Sequence, residues 1–268
     1  MIIGVNSYIN SDLRKQQHLI QLEWLKNLSS IVFLIYRDDY LTDYDYNSKF
    51  IVKTRNYNNA KCDPSDGRNI ILEYFYSSNH DWLLLLDDDV IIDNSKSYIK
   101  FEEFEKNLSD GMPEFFTFNQ PNLPGIGGWK NLNYITDKCY WFKSISPSSV
   151  RGSSGIIIRN YYKKYKLKLW FDRDLPCAED IDFGCNYINT FKRKIYIFKN
   201  ITINHLGEIN SAYFKNNTVE YRRNLGYIGK DMISKKYPIF SFENNILSCT
   251  EKLVGKSNIY FNLNSLFN

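Results

Sequence analysis

The stretch DGRNIILEYFYSSNHDWLLLLDDDVIID, residues 66–93, decides the fold. In its first half Ile70, Ile71, Tyr74 and Phe75 recur at helical spacing, so a helix is predicted over 68–77. In its second half Trp82 to Leu86 is apolar without alternation, as a strand buried on both faces must be. That run stops at Asp87-Asp88-Asp89. Upstream, Ile2 to Val5 is a strand of the same kind ending at Asn6-Ser7, and residues 31–36, IVFLIY, are another ending at Arg37-Asp38-Asp39. Between them lies a helix capped by Ser11 or Asp12, with Leu13, Leu19 or Ile20, Leu22 or Trp24, and Leu25 on one face. Residues 49–55 form a third strand and Asn56 to Gly67 a polar loop. Apolar strands alternating with helices predict an α/β fold, a mostly parallel sheet flanked by helices.

Beyond residue 110 the pattern changes. Pro113 to Trp141 mixes Pro, Gly and aromatics, as loops and short strands over a cleft would. Residues 153–159 read as a strand, 177–189 as a helix opening on Glu179-Asp180-Ile181-Asp182, and 194–198 and 201–203 as two strands before His205. After residue 210 the pattern weakens into a basic, Tyr-rich tail. The expected organisation is one half over 1–110, a second half of the same domain with a smaller mixed sheet over 111–210, and a C-terminal extension over 211–268.

Composition bounds the function without choosing it. The 268 residues are 43% apolar and 24% charged, enough to bury a core and too apolar for a disordered chain. With 34 Lys plus Arg against 30 Asp plus Glu the net charge is +4, which neither demands nor excludes an anionic partner. Five Cys with no C-x-x-C spacing argue against a disulfide framework or a structural zinc. The N-terminus lacks the charge order of a signal peptide, and no apolar run approaches the roughly 18 residues of a membrane span. A soluble cytoplasmic protein is the expectation.

Ligands of open parallel sheets bind beyond the carboxyl ends of the strands, where Asn6-Ser7, Arg37-Asp38-Asp39 and Asp87-Asp88-Asp89 all fall. Adjacent carboxylates repel one another, and either a divalent cation or plain solvation relieves them.

The order of the motifs resembles the GT-A glycosyltransferases. Residues 66–93 resemble that family's nucleotide-sugar half: an Arg-Asn helix start, a helix, an apolar strand and an Asp-x-Asp motif. RGSSGIIIRN (151–160) followed by CAEDIDFGCNY (177–187) resembles its second half, and NHLGE (204–208) its later metal-binding His. The resemblance covers residues 1–210 and implies transfer of a sugar from a nucleoside diphosphate, UDP by preference, to an acceptor hydroxyl. It places Asp87 on ribose or base and on the metal, with Asp88 supporting the loop. Asp89 and His205 hold Mn²⁺ or Mg²⁺, and Asn6, Asp38, Asp39 and Arg68 line the donor. The metal would stabilise charge growing on the leaving diphosphate. Asp180 is the candidate base, Glu179 binds acceptor hydroxyls and Asp182 is the reserve base; a dedicated Asp base favours inversion. For Arg68 a surface pair with Asp66 competes with donor contact, and for the acids of 179–182 helix-dipole complementation competes with catalysis. His18 is expected on the surface. Trp129, Tyr140 and Trp141 would stack on sugars or bases, or simply pack.

The acceptor has two candidates. Composition and general style resemble products of AT-rich DNA phages, whose sugar transferases modify hydroxymethylated cytosine. Lys163, Lys164, Lys166, Arg222 and Arg223 would then hold double-stranded DNA through its phosphates. The rival is a transferase building capsule or lipopolysaccharide chains. Two further readings compete from outside the family. One is a haloacid-dehalogenase-type phosphatase with Asp87 as nucleophile. The other is a non-catalytic nucleic-acid-binding module built on the basic and aromatic interleaving around Lys163 to Lys168.

Overall fold

The fold is taken from a computed structural model, described for residues 1–37, 41–55, 64–120, 139–206 and 219–262. Asp38, Asp39 and Trp129 lie outside the described residues, as does the side chain of Arg222.

The N-terminal part alternates as the apolar runs predict. Strand β1 (Ile2–Ser7) is followed by α1 (Asp12–Lys26), β2 (Ile31–Arg37), β3 (Phe50–Arg55), α2 (Pro64–Ser77) and β4 (Trp82–Asp87). Ser11 caps α1, its hydroxyl accepting from the Arg14 N–H. Helix α2 starts at Pro64, inside the stretch expected to be loop. A proline serves well in a first helical turn, where its missing N–H has no intrahelical partner to lose. Gly67 allows α2 to close on β1, since a Cβ there would stand 2.0 Å from the Asn6 Oδ1.

Next come β5 (Val90–Ile92), α3 (Phe101–Lys106), β6 (Phe115–Asn119), β7 (Cys139–Ile145), β8 (Ile156–Arg159), α4 (Tyr161–Tyr165) and α5 (Glu179–Phe191). Residues 153 and 154, expected at the start of a strand, belong instead to a 3₁₀ turn over 152–154. The chain continues through β9 (Ile195–His205), α6 (Val219–Lys236), the hairpin β10 (Phe240–Glu243) and β11 (Ile246–Cys249), and β12 (Asn258–Asn262). The two strands expected over 194–203 are one, β9, with a register shift opposite Phe118 and Asn119. Asn200 absorbs that irregularity: its Oδ1 accepts from the Trp141 N–H at 2.7 Å and its amide donates to the Cys139 carbonyl at 2.7 Å.

Ten strands form one mixed sheet in the order β12-β7-β9-β6-β8-β4-β1-β2-β3, with β5 pairing β9. Strands β3, β2, β1 and β4 run parallel, and β8 is antiparallel to β4. A second, two-stranded antiparallel sheet is the β10–β11 hairpin. β4 shows why its run is uniformly apolar: Leu83 and Leu85 pack under α2 and α5, while Leu84 and Leu86 pack under α1 and α3. The tail that looked patternless supplies α6 against α5 and the edge strand β12 on β7. Among the described residues no helix is long and apolar enough to cross a membrane.

Candidate functional site

After β1 the chain moves to β2 on one side, while β4 lies on the other. The point between β1 and β4 is therefore where strand order reverses, and such a switch point opens a crevice at the strands' carboxyl ends. Asn6 is in register with Asp87 there. Asn6 turns its amide to the Pro64 carbonyl at 3.2 Å, so it holds the start of α2.

The three acids that follow β4 have different surroundings. Asp87 keeps 27% of its side chain exposed and takes the Arg68 guanidinium at 2.7 Å. Asp88 is buried and accepts from the Tyr8 N–H at 2.7 Å and from Arg14. Asp89 is buried as well; it meets Arg14 and, at 3.1 Å, the His205 Nε2. Burial pushes the Asp88 carboxyl up to about 7 against the pull of Arg14. Burial also pushes Asp89 upward, but the His205 hydrogen bond and Arg14 outweigh it and hold that carboxyl below the usual range. For His205 burial favours the neutral ring, yet contact with Asp89 wins and raises it.

Donors from α1 fix this loop. Gln21 donates to the Asp87 carbonyl at 2.7 Å and to the Val90 carbonyl at 2.6 Å, and Gln17 donates to the Leu206 carbonyl. His18 is buried, contrary to its expected surface position. Its Nδ1 lies 3.2 Å from both the Gln21 Oε1 and the Asp88 carbonyl, two acceptors, so that nitrogen carries the proton. Its Nε2 takes the Tyr36 hydroxyl at 2.6 Å. Burial lowers the ring to about 4, which keeps it neutral. Leu13 and Ile20, expected on the packed face, are more than half exposed, because α1 turns its Gln and His residues toward the acid loop.

Arg68 is neither at the surface nor paired with Asp66. It is 6% exposed and bridges Asp87 to the Glu179 carboxylate at 2.8 Å. Asp66 pairs with Arg55 and Arg173 instead. Gly152 allows this bridge, since a Cβ there would come within 2.3 Å of the Arg68 Nη2 and 2.8 Å of the Asp87 Oδ1. Its N–H donates to the Asp180 Oδ2 at 3.2 Å, and the Ile181 N–H to Oδ1 at 2.8 Å. Burial and the charge of Asp180 raise the Glu179 carboxyl in spite of Arg68. Helix α5 begins beyond Ala178, held at φ 70°, a conformation that costs a non-glycine residue energy and aims Glu179 and Asp180 into the cleft.

Asp182 does not share that cleft. It is fully buried and pairs with Lys236 of α6 at 3.1 Å, two residues on from Asp180 and so on the opposite side of the helix. Lys163, Lys164 and Lys166 lie elsewhere again. Lys163 binds Asp81 at 2.9 Å, just before β4, and Lys164 binds Glu114 at 3.5 Å. Lys166 closes α4 in the left-handed region. The length of β4, about 20 Å at 3.3 Å per residue, separates that end of the sheet from Asp87. Tyr140 is buried in the core and Trp141 stacks on Tyr260 at 5.9 Å, so both pack. Of the candidate acceptor cations whose side chains are described, Arg223 reaches the cleft, lining it with Glu179 and Asp180.

A divalent metal is testable against the donors present. Asp89 Oδ1 is buried without a hydrogen-bond partner beside the His205 imidazole, an oxygen and nitrogen pair of the kind such ions accept. Among the described residues no three His, Cys, Asp or Glu side chains converge, so further ligands would come from a bound diphosphate or water. Arg14, unnamed in the sequence analysis, adds permanent positive charge to the same acids. Its signal was legible: Arg14, Gln17, His18 and Gln21 form one polar stripe at helical spacing.

No protein-family model matches the chain, and no curated protein does. Among solved structures, the crystal structure of a mycobacterial protein superposes with a TM-score of 0.40 and 9% identity, over 91% of this chain and 79% of that one.

Proposed function

We propose that the chain is a GT-A-type glycosyltransferase that uses a nucleoside-diphosphate sugar, with UDP as the preferred nucleotide. The observation that supports it best is the Arg68 bridge. It joins Asp87, at the switch point where a nucleotide would sit, to Glu179 beside Asp180 in the neighbouring cleft. Donor and acceptor would thus meet on either side of one buried guanidinium. The parallel order β3-β2-β1-β4, with β8 inserted antiparallel, is compatible with that family.

In this reading Asp87 hydrogen-bonds the donor's ribose or base, and Asp89 with His205 holds Mn²⁺ or Mg²⁺. The cation would neutralise charge on the departing diphosphate. Asp180, oriented by the Gly152 N–H, takes the proton of the attacking hydroxyl, and inversion is the expected stereochemistry. Glu179 orients the acceptor. The phosphatase alternative needs Asp89 as a mobile acid, whereas it is buried between Arg14 and His205.

The test is transfer or hydrolysis of UDP-sugars with manganese, with chelator, and in Asp89→Ala. Loss of activity in the last two with UDP affinity measurable supports the reading. Full activity in chelator overturns the metal role, and no affinity for any nucleotide overturns the donor role.

A further inference from the structure

The cleft beside Glu179 and Asp180 has about 350 Å³ of space, between the start of α5 and one side of α6. Arg151, Arg223 and Lys230 line it together with these two acids and Tyr227. Arg151 donates to the Val150 carbonyl at 2.8 Å, and none of the three cations makes an ion pair with a carboxylate among the described residues. The buried and half-buried cations around the two acidic segments are matched by contrast: Arg14 by Asp88 and Asp89, Arg68 by Asp87 and Glu179, Lys236 by Asp172 and Asp182. Glu179 is already committed to Arg68, so three positive charges face one uncommitted carboxylate, Asp180. The first-turn N–H groups of α5 add to the positive side. Burial, and then the charge of Arg151, depress the Lys230 amine below its usual range, as unmet like charge at close quarters requires.

The walls are firm enough to hold such a surplus. Gly229 brings α6 so close that a Cβ there would stand 2.3 Å from the Cys177 carbonyl, so the helix rests on the loop entering α5 backbone to backbone. Nothing lies within 4 Å of a Cβ built at Gly226, which keeps the cleft's mouth open. Tyr227 offers a ring face on which an apolar sugar surface packs.

From these we propose that the cleft binds a phosphate group on the acceptor, a few ångströms from the hydroxyl that Asp180 would deprotonate. Two guanidinium forks and an ammonium suit a tetrahedral phosphate, the doubly charged monoester above all, better than a single planar carboxylate. The word acceptor rests on the glycosyltransferase reading; the anion site does not. It also relocates the contact expected of Lys163, Lys164 and Lys166, which stand at the other end of β4, to cations within reach of Asp180.

The experiment is a titration of the full chain, without donor, by glucose 6-phosphate, glucuronate and glucose, followed by calorimetry or NMR. UDP is titrated in parallel. The expected result is binding of glucose 6-phosphate, at least tenfold weaker glucuronate, and undetectable glucose. Arg223→Gln combined with Lys230→Gln should weaken glucose 6-phosphate at least tenfold and leave UDP affinity within twofold. Both side chains sit at the surface or half-buried, so the fold should persist, and circular dichroism checks this. Equal binding of glucose, tighter binding of glucuronate, or unchanged phosphate affinity in the double variant would overturn the site. Phosphate binding lost in the variant while UDP never binds keeps the anion site and removes the glycosyltransferase reading. A hydroxymethylated DNA duplex is the second arm. If the same variant weakens it, the phosphate is a nucleic-acid diester; if only glucose 6-phosphate responds, it is a monoester on a smaller acceptor.

Discussion

Two acidic segments, Asp87-Asp88-Asp89 and Glu179-Asp180-Ile181-Asp182, look alike in sequence and are built alike in space. Each spends one carboxylate on an arginine that faces the other segment: Asp87 and Glu179 share Arg68. Each commits one to its own foundations, Asp88 to Tyr8 and Arg14, Asp182 to Lys236. Each holds the one to which we assign the chemistry beside another protein group, Asp89 beside Arg14 and His205 and Asp180 beside the Gly152 N–H. The difference is in what surrounds them. The first segment is braced by protein donors from α1 and leaves the Asp89 Oδ1 without a partner, whereas the second opens on cations that meet no carboxylate among the described residues. A braced segment presents its open oxygen in a fixed geometry, and one lined with unmet cations can take an anion.

The strongest test of this division is Asp180→Asn. Amide for carboxylate keeps the shape and one of the two backbone contacts, to Gly152 or to Ile181, while removing the base. Transfer should fall by about 10²–10⁴-fold with UDP affinity unchanged, as steady-state kinetics and calorimetry would show. A turnover near that of the unaltered chain would shift the role to Glu179.

Gly152→Ala attacks the link between the segments. The new Cβ would push the Arg68 guanidinium off Asp87 while Glu179 still holds it, so the expected loss of stability is about 1–2 kcal/mol. Denaturant unfolding should show that loss, and nucleotide binding should fall with it. Unchanged stability would mean that Arg68 finds another arrangement without cost.

Acid tests the foundation of the first segment. His18 has a folded value of about 4 against 6.5 for the free side chain. Between those values the unfolded chain takes up a proton that the folded one refuses. His18 therefore costs nothing above pH 6.5, and stability falls as pH drops from there toward 4, by about 3 kcal/mol in total. His18→Gln should flatten that part of the stability curve while lowering stability at pH 7. An unchanged slope would place the acid sensitivity elsewhere.

Much of this was legible before any coordinates. The first four strands, α1 and α2 follow from apolar runs and helical spacing, because burial on both faces of a sheet leaves no room for polar residues. Asp87 to Asp89 stand out in the sequence because strand ends mark the ligand edge, and His205 because NHLGE resembles a family motif; the fold brings Asp89 and His205 together at 3.1 Å. What escaped were choices that chain order cannot carry. Arg68 reads either as a donor contact or as a surface partner of Asp66 until Gly152, far along the chain, turns out to have no Cβ to displace it from Asp87. Arg14 and His18 read as ordinary helix residues until the acid loop is laid over α1. The Lys163 to Lys168 run looked like a phosphate contact from charge alone, but charge says nothing about which end of a strand it occupies.

The smallest expected effect is also the sharpest on the likeness of the two segments. Asp182 sits one residue beyond Ile181 in the same helical turn as Asp180 and was the reserve base. In the fold it is buried, and burial raises its carboxyl more than the Lys236 ammonium lowers it. A raised carboxyl means that the ionised form is less comfortable folded than unfolded at pH 7. Its removal therefore relieves a cost as well as losing an ion pair. Lys236 keeps Asp172 at 2.6 Å and is 39% exposed, so water screens what remains. Asp182→Asn should thus change stability by no more than about 1 kcal/mol and leave turnover per folded molecule unchanged, while Asp182→Ala, which also empties the space, should cost about 2 kcal/mol. The sign of the charge effect gives a further check: the unaltered chain should gain stability relative to Asp182→Asn as pH falls through the raised value and Asp182 protonates. A loss of transfer in Asp182→Asn comparable to that in Asp180→Asn, with the fold intact, would show that the two acids act together and that the division between foundation and chemistry is drawn in the wrong place.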